Sequence, residues 1–202
     1  MLRGDGTDPA SLHAAFAAAA PQCVVHLAGS NPSRAGGCSC GDGLLAINAI
    51  DAALGASVSR FLLLSSLGVG DSKVCIPAPS EDVLKPWLEG KEAGEGYLRT
   101  SARPGPGGRQ LQSLILRSGP LTNDSLDGSR VVLSCDAAGA KAYSSMGRGA
   151  LAAVLARAVM SEPLGEDGQT LSVLDAGNLI ISSPSLRSLE PWESLPFTEV
   201  AL

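Results

Sequence analysis

The sequence predicts an α/β fold in which helices cover both faces of a parallel sheet. Short apolar segments alternate with segments of helical periodicity along the 202 residues. Several apolar segments contain successive branched aliphatic residues, which is typical of strands buried on both faces. Aromatic residues make up only 3% of the chain, while alanine and glycine are abundant. Alternating strands and helices indicate a parallel sheet, because each crossover between parallel strands needs a helix.

The first predicted elements are a helix and a strand. Asp8 caps the helix and Pro9 takes its first position, while Leu12 and Phe16 lie one turn apart. The apolar segment Cys23–Gly29 follows, and it is predicted as a buried strand that ends in small residues. Its carboxyl end is therefore expected to face a ligand site.

Two further helices and a strand follow in the sequence. Apolar residues at spacings of three and four predict an amphipathic helix over Gly43–Ala53, with Gly55 placed to stop it. Arg60–Ser66 contains three successive leucines and is predicted as a strand covered on both faces. A capped, acidic start predicts another helix over Ser80–Ser101, although Pro86 weakens it.

The second half of the chain continues the alternation. The predicted elements are the strand Leu111–Gly119, a short edge strand or extended piece at Val131–Ser134, the helix Gly149–Met160 and the strand Gln169–Asp175. Residues 176–202 are rich in Ser and Pro without a clear period, so they are expected to be disordered or to lie on the surface. We therefore predict one domain over residues 1–175 and a tail over residues 176–202.

Composition and charge exclude several classes of protein. A net charge of −5 gives no general attraction to phosphate backbones, so no nucleic acid partner is predicted. No apolar run is long enough to span a bilayer. Five cysteines without a paired framework indicate a reducing, intracellular compartment. Cys38 and Cys40 could hold a soft metal only if other ligands converged on them, and no further metal-spaced pair occurs, so no metal is predicted.

Six segments occur in an order that is more specific than any single motif. They are GDGTDPASL, VVHLAG, NAIDAALGASVSRFLLLSSLGVG, LEGKEAGEGYLRTS, LILRSGPLTND and SSMGRGALAAVLARAV. In this order and spacing the chain resembles the atypical short-chain dehydrogenase/reductases of the NAD(P)H-binding, NmrA-like kind over residues 4–175. The resemblance implies a Rossmann-like, doubly wound sheet and NADP or NAD as cofactor. Plastid and cytosolic members look most similar, which implies one of those two compartments.

The resemblance implies residues for the adenine half of the cofactor. Asp5 would accept a hydrogen bond from the adenine amino group; the alternative is that it caps a turn. Ala28 and Gly29 would lie against the adenosine ribose and pyrophosphate, where a larger side chain would collide with the cofactor. Their alternative role is turn geometry alone.

The resemblance also implies residues for the nicotinamide half. Ser65 and Ser66 would place a hydroxyl near the nicotinamide and, in catalytic members, near the substrate carbonyl; alternatively they satisfy backbone groups at the strand end. The backbone of Ser118, Gly119 and Leu121 would face the nicotinamide amide.

Lys91 matches the lysine of the family's Tyr-x-x-x-Lys pair, which binds the nicotinamide ribose and lowers the pKa of the tyrosine. Trp87 stands at the tyrosine position. An indole N–H has no acidic proton to give at neutral pH, so it cannot replace a phenol as general acid. Tyr97 has the wrong spacing to Lys91 to take that role.

Two other polar residues have ambiguous roles. Asn48 matches a helix asparagine of related enzymes, or it is solvent-exposed. His26 on the first strand is expected to be packed rather than catalytic.

The glycine-rich turn that opens such domains does not precede Met1, so we expect an N-terminally truncated sheet. Its exposed edge would then allow self-association through Val24–Leu27.

Three functions are consistent with these observations. The first is an NAD(P)-binding reductase-like or redox-sensing protein with impaired or no classical ketone-reductase chemistry, acting through Ser66 and Lys91. The second is a non-catalytic scaffold or assembly subunit that keeps the fold. A nucleotide-sugar epimerase relative is the third, and the missing phenol disfavours it. The sequence leaves the substrate and the choice between NAD and NADP open.

Overall fold

A computed structural model describes residues 2–29, 41–70, 81–103, 110–124, 130–135, 142–160, 168–178 and 180–181 of the chain. The helices are α1 (Pro9–Ala19), α2 (Gly41–Gly55), α3 (Glu81–Ser101) and α4 (Arg148–Met160). The strands are β1 (Cys23–His26), β2 (Arg60–Ser66), β3 (Gln112–Ser118), β4 (Leu121–Thr122), β5 (Val131–Cys135), β6 (Ala142–Tyr143), β7 (Met146–Gly147), β8 (Gln169–Asp175) and β9 (Ile180–Ile181).

The five longer strands form one sheet in the order β1-β2-β3-β8-β5. β1 pairs with β2 in parallel, with Cys23 opposite Arg60 and His26 opposite Leu63. β5 lies at the other end and pairs with β8 in the antiparallel direction. The predicted α/β class with a mainly parallel sheet is confirmed, and so is the edge position of β5. Two small sheets, β4 with β7 and β6 with β9, complete the described strands.

The chain divides into two compact units. Unit 1 comprises Met1–Leu64, Pro79–Ile115 and Leu164–Gln169, and unit 2 comprises Ser65–Ala78, Leu116–Pro163 and Thr170–Leu202. Both units include parts of β2, β3 and β8. The prediction of a single domain over residues 1–175 stays a prediction.

Unit 1 is built on an aliphatic core in which α2 and α3 pack closely. A Cβ added to Gly43 of α2 would lie 2.6 Å from the backbone oxygen of Gly90 in α3, and one added to Gly94 would lie 2.8 Å from the Cβ of Ala46. Small residues therefore let the two helix backbones approach each other. Because Asp42 precedes Gly43 and Lys91 follows Gly90, this crossing also brings a carboxylate and an ammonium together.

Unit 2 also contains a glycine that its packing requires. A Cβ at Gly119 would fall on the backbone oxygen of Ser144, so only glycine fits there. Ser144 is fully buried, and its hydroxyl accepts a hydrogen bond from the backbone N–H of Asp175 at 2.9 Å. In α4 the buried residues are Ala150, Leu151, Val154 and Leu155, which lie on one face of the helix.

Several element boundaries differ from the predictions. β1 ends at His26, and Leu27, Ala28 and Gly29 are exposed, because small and apolar residues do not by themselves extend strand pairing. α2 ends at Gly55, but the left-handed residue that follows the helix is Ser57, with a φ of 57°. The predicted tail contains a 3₁₀ turn (Ala176–Asn178) and β9, and β9 pairs with β6. Residues 182–202 lie outside the described ranges.

Candidate active site around Lys91

The main cluster of charged side chains in unit 1 is centred on Lys91 of α3. Its Nζ atom lies 3.2 Å from Oδ2 of Asp42, and the two side chains are 12% and 2% exposed. The same Nζ atom lies 4.8 Å from the centroid of the Trp87 ring, one helical turn earlier. An ion pair on one side and an aromatic face on the other therefore hold the ammonium in a shielded position.

Gly29 completes this cluster from the loop after β1. A Cβ at Gly29 would lie 3.1 Å from Oδ2 of Asp42 and 3.7 Å from Nζ of Lys91. A side chain at this position would therefore crowd the Asp42 carboxylate and stand next to the ammonium. We call the cluster of Gly29, Asp42, Trp87 and Lys91 the Lys91 site.

His26, the last residue of β1, is packed against the core and not available as a proton donor. It is only 8% exposed, and its ring is stacked on Phe61 with the ring centroids 6.2 Å apart. Burial lowers its pKa to about 4, and the charge of Lys91 adds to that effect while Asp42 opposes it. The imidazole is therefore neutral at neutral pH, as expected for a packed histidine.

Aromatic residues near Lys91 do not supply an acidic proton. Nε1 of Trp87 is buried and has no hydrogen-bond partner among the described residues. The hydroxyl of Tyr97 donates to Oδ1 of Asp51 at 2.5 Å, and this bond raises the pKa of Tyr97. In the described part of unit 1, Lys91 is therefore accompanied by an indole and not by a phenol that could protonate a carbonyl.

The predicted nicotinamide-side residues belong to unit 2. Ser65 is 4% exposed and its hydroxyl has no hydrogen-bond partner among the described residues, whereas the Ser66 hydroxyl donates to the backbone oxygen of Leu67 at 3.0 Å. The backbone N–H of Leu67 donates to the oxygen of Ser118 at 2.9 Å, so the ends of β2 and β3 are joined here. Leu121 is half-buried in β4.

A comparison with known families identifies the chain. The model of the NAD(P)H-binding family matches residues 1–162. The chain belongs to this family. The predicted membership of an NAD(P)H-binding family and the predicted cofactor class, NAD(P), are thereby confirmed. No curated protein sequence matches this chain.

Solved structures of NAD(P)H-binding and reductase proteins have the same fold. ChuY, an anaerobillin reductase from Escherichia coli O157:H7, has 23% sequence identity and a TM-score of 0.68, covering 87% of this chain and 74% of that chain. The oxidoreductase ylbE from Lactococcus lactis has 21% identity and a TM-score of 0.60, covering 90% and 74%. A short-chain dehydrogenase/reductase from Veillonella parvula in complex with NADP has 16% identity and a TM-score of 0.58, covering 87% and 71%. These similarities confirm the Rossmann-like fold.

The Lys91 site fits the ribose of the cofactor that the NAD(P)H-binding family implies. Ribose presents hydroxyl groups, and the Lys91 ammonium carries hydrogen-bond donors beside the space that a Cβ of Gly29 would fill. Ala28 and Gly29 are exposed at the carboxyl end of β1, the usual position for a ligand in an open α/β sheet.

Asp5 and Asn48, for which the sequence left two roles open, both make hydrogen bonds within the chain. Oδ1 of Asp5 accepts from the backbone N–H of Thr7 at 2.9 Å and from its hydroxyl at 2.7 Å, and these bonds lower the pKa of Asp5. Asn48 is 6% exposed, and its Nδ2 donates to the oxygen of Gly6 at 2.9 Å. The reading of Asn48 as solvent-exposed is wrong, because its amide fixes the turn that contains Asp5.

Sequence reasoning missed Asp42. The sequence does contain a signal for this pair: Asp42 precedes Gly43 next to one predicted helix, and Lys91 follows Gly90 in another. Small residues let two helices approach closely, so that charged residues next to them can meet.

Cys38 and Cys40 lie outside the described residues. In the described ranges no group of three His, Cys, Asp or Glu could hold a metal ion. No helix in the described ranges has the length and apolar character needed to cross a bilayer.

Proposed function

We propose that this protein is an NAD(P)H-binding reductase-type or redox-sensing protein in which Lys91 binds the ribose of the nicotinamide half. The observation that carries the proposal is the shielded Lys91 ammonium, which is paired with Asp42 and lies beside Gly29 at the carboxyl end of β1. Bound NADPH or NADH would supply the hydride, and the residues of this chain would bind and orient the cofactor.

The other cofactor contacts follow the family resemblance. Asp5 would bind the adenine, and Ala28 and Gly29 would lie against the adenosine ribose and the pyrophosphate. The nicotinamide side would be formed by Ser65, Ser66, Ser118, Gly119 and Leu121. Asp5 can accept a further hydrogen bond because a carboxylate has two acceptor oxygens and Thr7 bonds to Oδ1.

The proposed chemistry differs from that of phenol-dependent ketone reductases. Trp87 stands where those enzymes have their tyrosine, and the Tyr97 hydroxyl is bonded to Asp51. An unactivated ketone needs protonation of its oxygen as hydride arrives, and general acid catalysis of such a step typically contributes a factor of about 100 to 10,000. We therefore propose that classical ketone reduction is impaired or absent. ChuY is an anaerobillin reductase and ylbE is an oxidoreductase, and these similarities support a reductase-type function.

Titration of NADPH and NADH into the protein, followed by nicotinamide fluorescence, tests this function. We expect saturable binding that Lys91→Ala weakens by about tenfold or more, because a charge-assisted hydrogen bond is lost. Lys85→Ala is the matched control, since Lys85 is an exposed lysine on the same helix. An absence of binding at millimolar cofactor, or equal losses in both variants, would contradict the proposal.

A second candidate function is a non-catalytic scaffold or assembly subunit. The observation that favours it is that Lys91 already has a carboxylate partner and faces an indole in place of a phenol. The same titration separates the two functions, because a scaffold that has lost cofactor binding would give no response to either nucleotide.

The resemblance to plastid and cytosolic family members makes those two compartments our proposal for the location of this protein.

A further inference from the structure

We infer that Asp42 is a positioning residue: it holds the Lys91 ammonium over the Trp87 indole, so that the nitrogen stays beside Gly29. The part of this inference that concerns cofactor binding rests on the proposed function. The part that concerns the position of the ammonium in the cofactor-free protein does not.

The first argument is burial. The Asp42 side chain is 2% exposed, and the Lys91 side chain is 12% exposed. Taking either charge out of water alone is costly, whereas each charge compensates the other when they are paired. The pair is therefore expected to persist in solution, and its 3.2 Å separation fixes the end of a side chain that would otherwise be flexible.

The second argument is that three separate segments converge on one nitrogen. Asp42 comes from the first turn of α2, Trp87 and Lys91 lie one turn apart on α3, and Gly29 belongs to the loop after β1. Trp87 restrains the ammonium from one side through a cation–π contact of 4.8 Å. Asp42 restrains it from another side and lies within 3.1 Å of the Cβ position at Gly29. A lysine without Asp42 would keep its charge and lose the restraint that directs it to Gly29.

The third argument is the departure from a Tyr–Lys pair. In the described part of unit 1, Lys91 has no phenol beside it whose pKa it could lower. Its remaining use is as a fixed donor to ligand hydroxyls, which depends on position more than on charge. Asp42 supplies that position, and Trp87 supplies a surface on which the lysine stem and ammonium rest.

Trp87 gives a direct readout of this arrangement. The chain has two tryptophans, Trp87 and Trp192. In a Trp192→Phe background, Trp87 emission therefore reports alone on the charge near its ring. We expect Asp42→Asn to shift this emission in the cofactor-free protein, because the ammonium moves off the indole. Asp51→Asn is the matched control: it removes one carboxylate from the same helix, where the partner is Tyr97.

A double-mutant cycle shows whether Asp42 acts through Lys91. Both Asp42→Asn and Lys91→Met are expected to weaken NADPH binding by about tenfold, whereas Asp42→Asn in the Lys91→Met background should change it by less than about twofold. The double variant also leaves no uncompensated buried charge, so it stays informative if Asp42→Asn alone folds poorly. Its Trp87 emission should match that of Lys91→Met.

Failure of this inference differs from failure of the proposed function. If the parent binds NADPH or NADH but Asp42→Asn changes neither the affinity nor the Trp87 emission, the positioning role is overturned. Equal losses from Asp42→Asn with and without Lys91 would also overturn it, because Asp42 would then act on the ligand directly. If the parent binds neither nucleotide, the proposed function fails and the cofactor-free emission decides alone: a shift in Asp42→Asn supports positioning, and no shift overturns it.

Discussion

At the scale of single residues, the buried side chain of His26 makes the stability of the folded chain depend on pH. Its pKa of about 4 in the folded chain lies below its ordinary value of 6.5, so protons bind the unfolded state more readily. The stability that this histidine contributes is therefore fully present above about pH 6.5 and is lost as the pH falls toward 4. The difference between these two pKa values corresponds to roughly 3 kcal/mol in the free energy of unfolding.

This pH dependence has a direct test. We expect the free energy of unfolding, measured with urea, to fall between pH 6.5 and pH 4, and to fall less in a His26→Gln variant. His13→Gln is the control, because His13 is exposed and is the only other histidine in the sequence. The proton NMR titration of His26 should have its midpoint near 4. A midpoint near 6.5 would show that the imidazole is not buried against Phe61.

At the scale of secondary-structure elements, the close crossing of α2 and α3 is what assembles the Lys91 site. Gly43→Ala places a Cβ 2.6 Å from the Gly90 backbone oxygen, so the helices must move apart. We expect this variant to lose roughly 1–3 kcal/mol of stability through overpacking. It should also weaken cofactor binding, because the ion pair between Asp42 and Lys91 spans the same crossing.

The matched change is Gly96→Ala on α3, where an added Cβ meets nothing within 4 Å. There we expect a gain of up to about 1 kcal/mol from helix propensity. Urea or thermal unfolding of the two variants, side by side, measures both effects. A Gly43→Ala variant as stable as Gly96→Ala would contradict the close crossing.

The same elements show which features of the fold could be predicted from the sequence and which could not. The strand β2 was predictable because its continuous apolar run is typical of a strand that is buried on both faces. β1 is shorter than predicted because the apolar character of Leu27 continues past the last paired residue, His26. The contacts of Asp42 with Lys91 and of Asn48 with Gly6 could not be predicted, because each depends on how two distant segments pack.

At the scale of the whole molecule, we expect the edge of the sheet to favour self-association in solution. Among the described strands β1 pairs only with β2 and stands at one end of the order. Leu27, just beyond it, is 56% exposed. An exposed edge with apolar residues favours pairing with another chain. We therefore expect the protein to self-associate through Val24–Leu27 as its concentration rises.

Light scattering during size-exclusion chromatography measures this association. Leu27→Lys should lower the average mass at a given concentration, because charge at an edge opposes strand pairing between chains. Leu54→Lys serves as the control, since Leu54 is 40% exposed on α2 and lies outside the edge strand. Equal effects of the two lysines would assign the association to general surface hydrophobicity, and a monomer at every concentration would contradict the prediction. Association that Leu27→Lys reduces and that also decreases when NADPH is added would connect the edge to cofactor binding, because Ala28 and Gly29 directly follow Leu27.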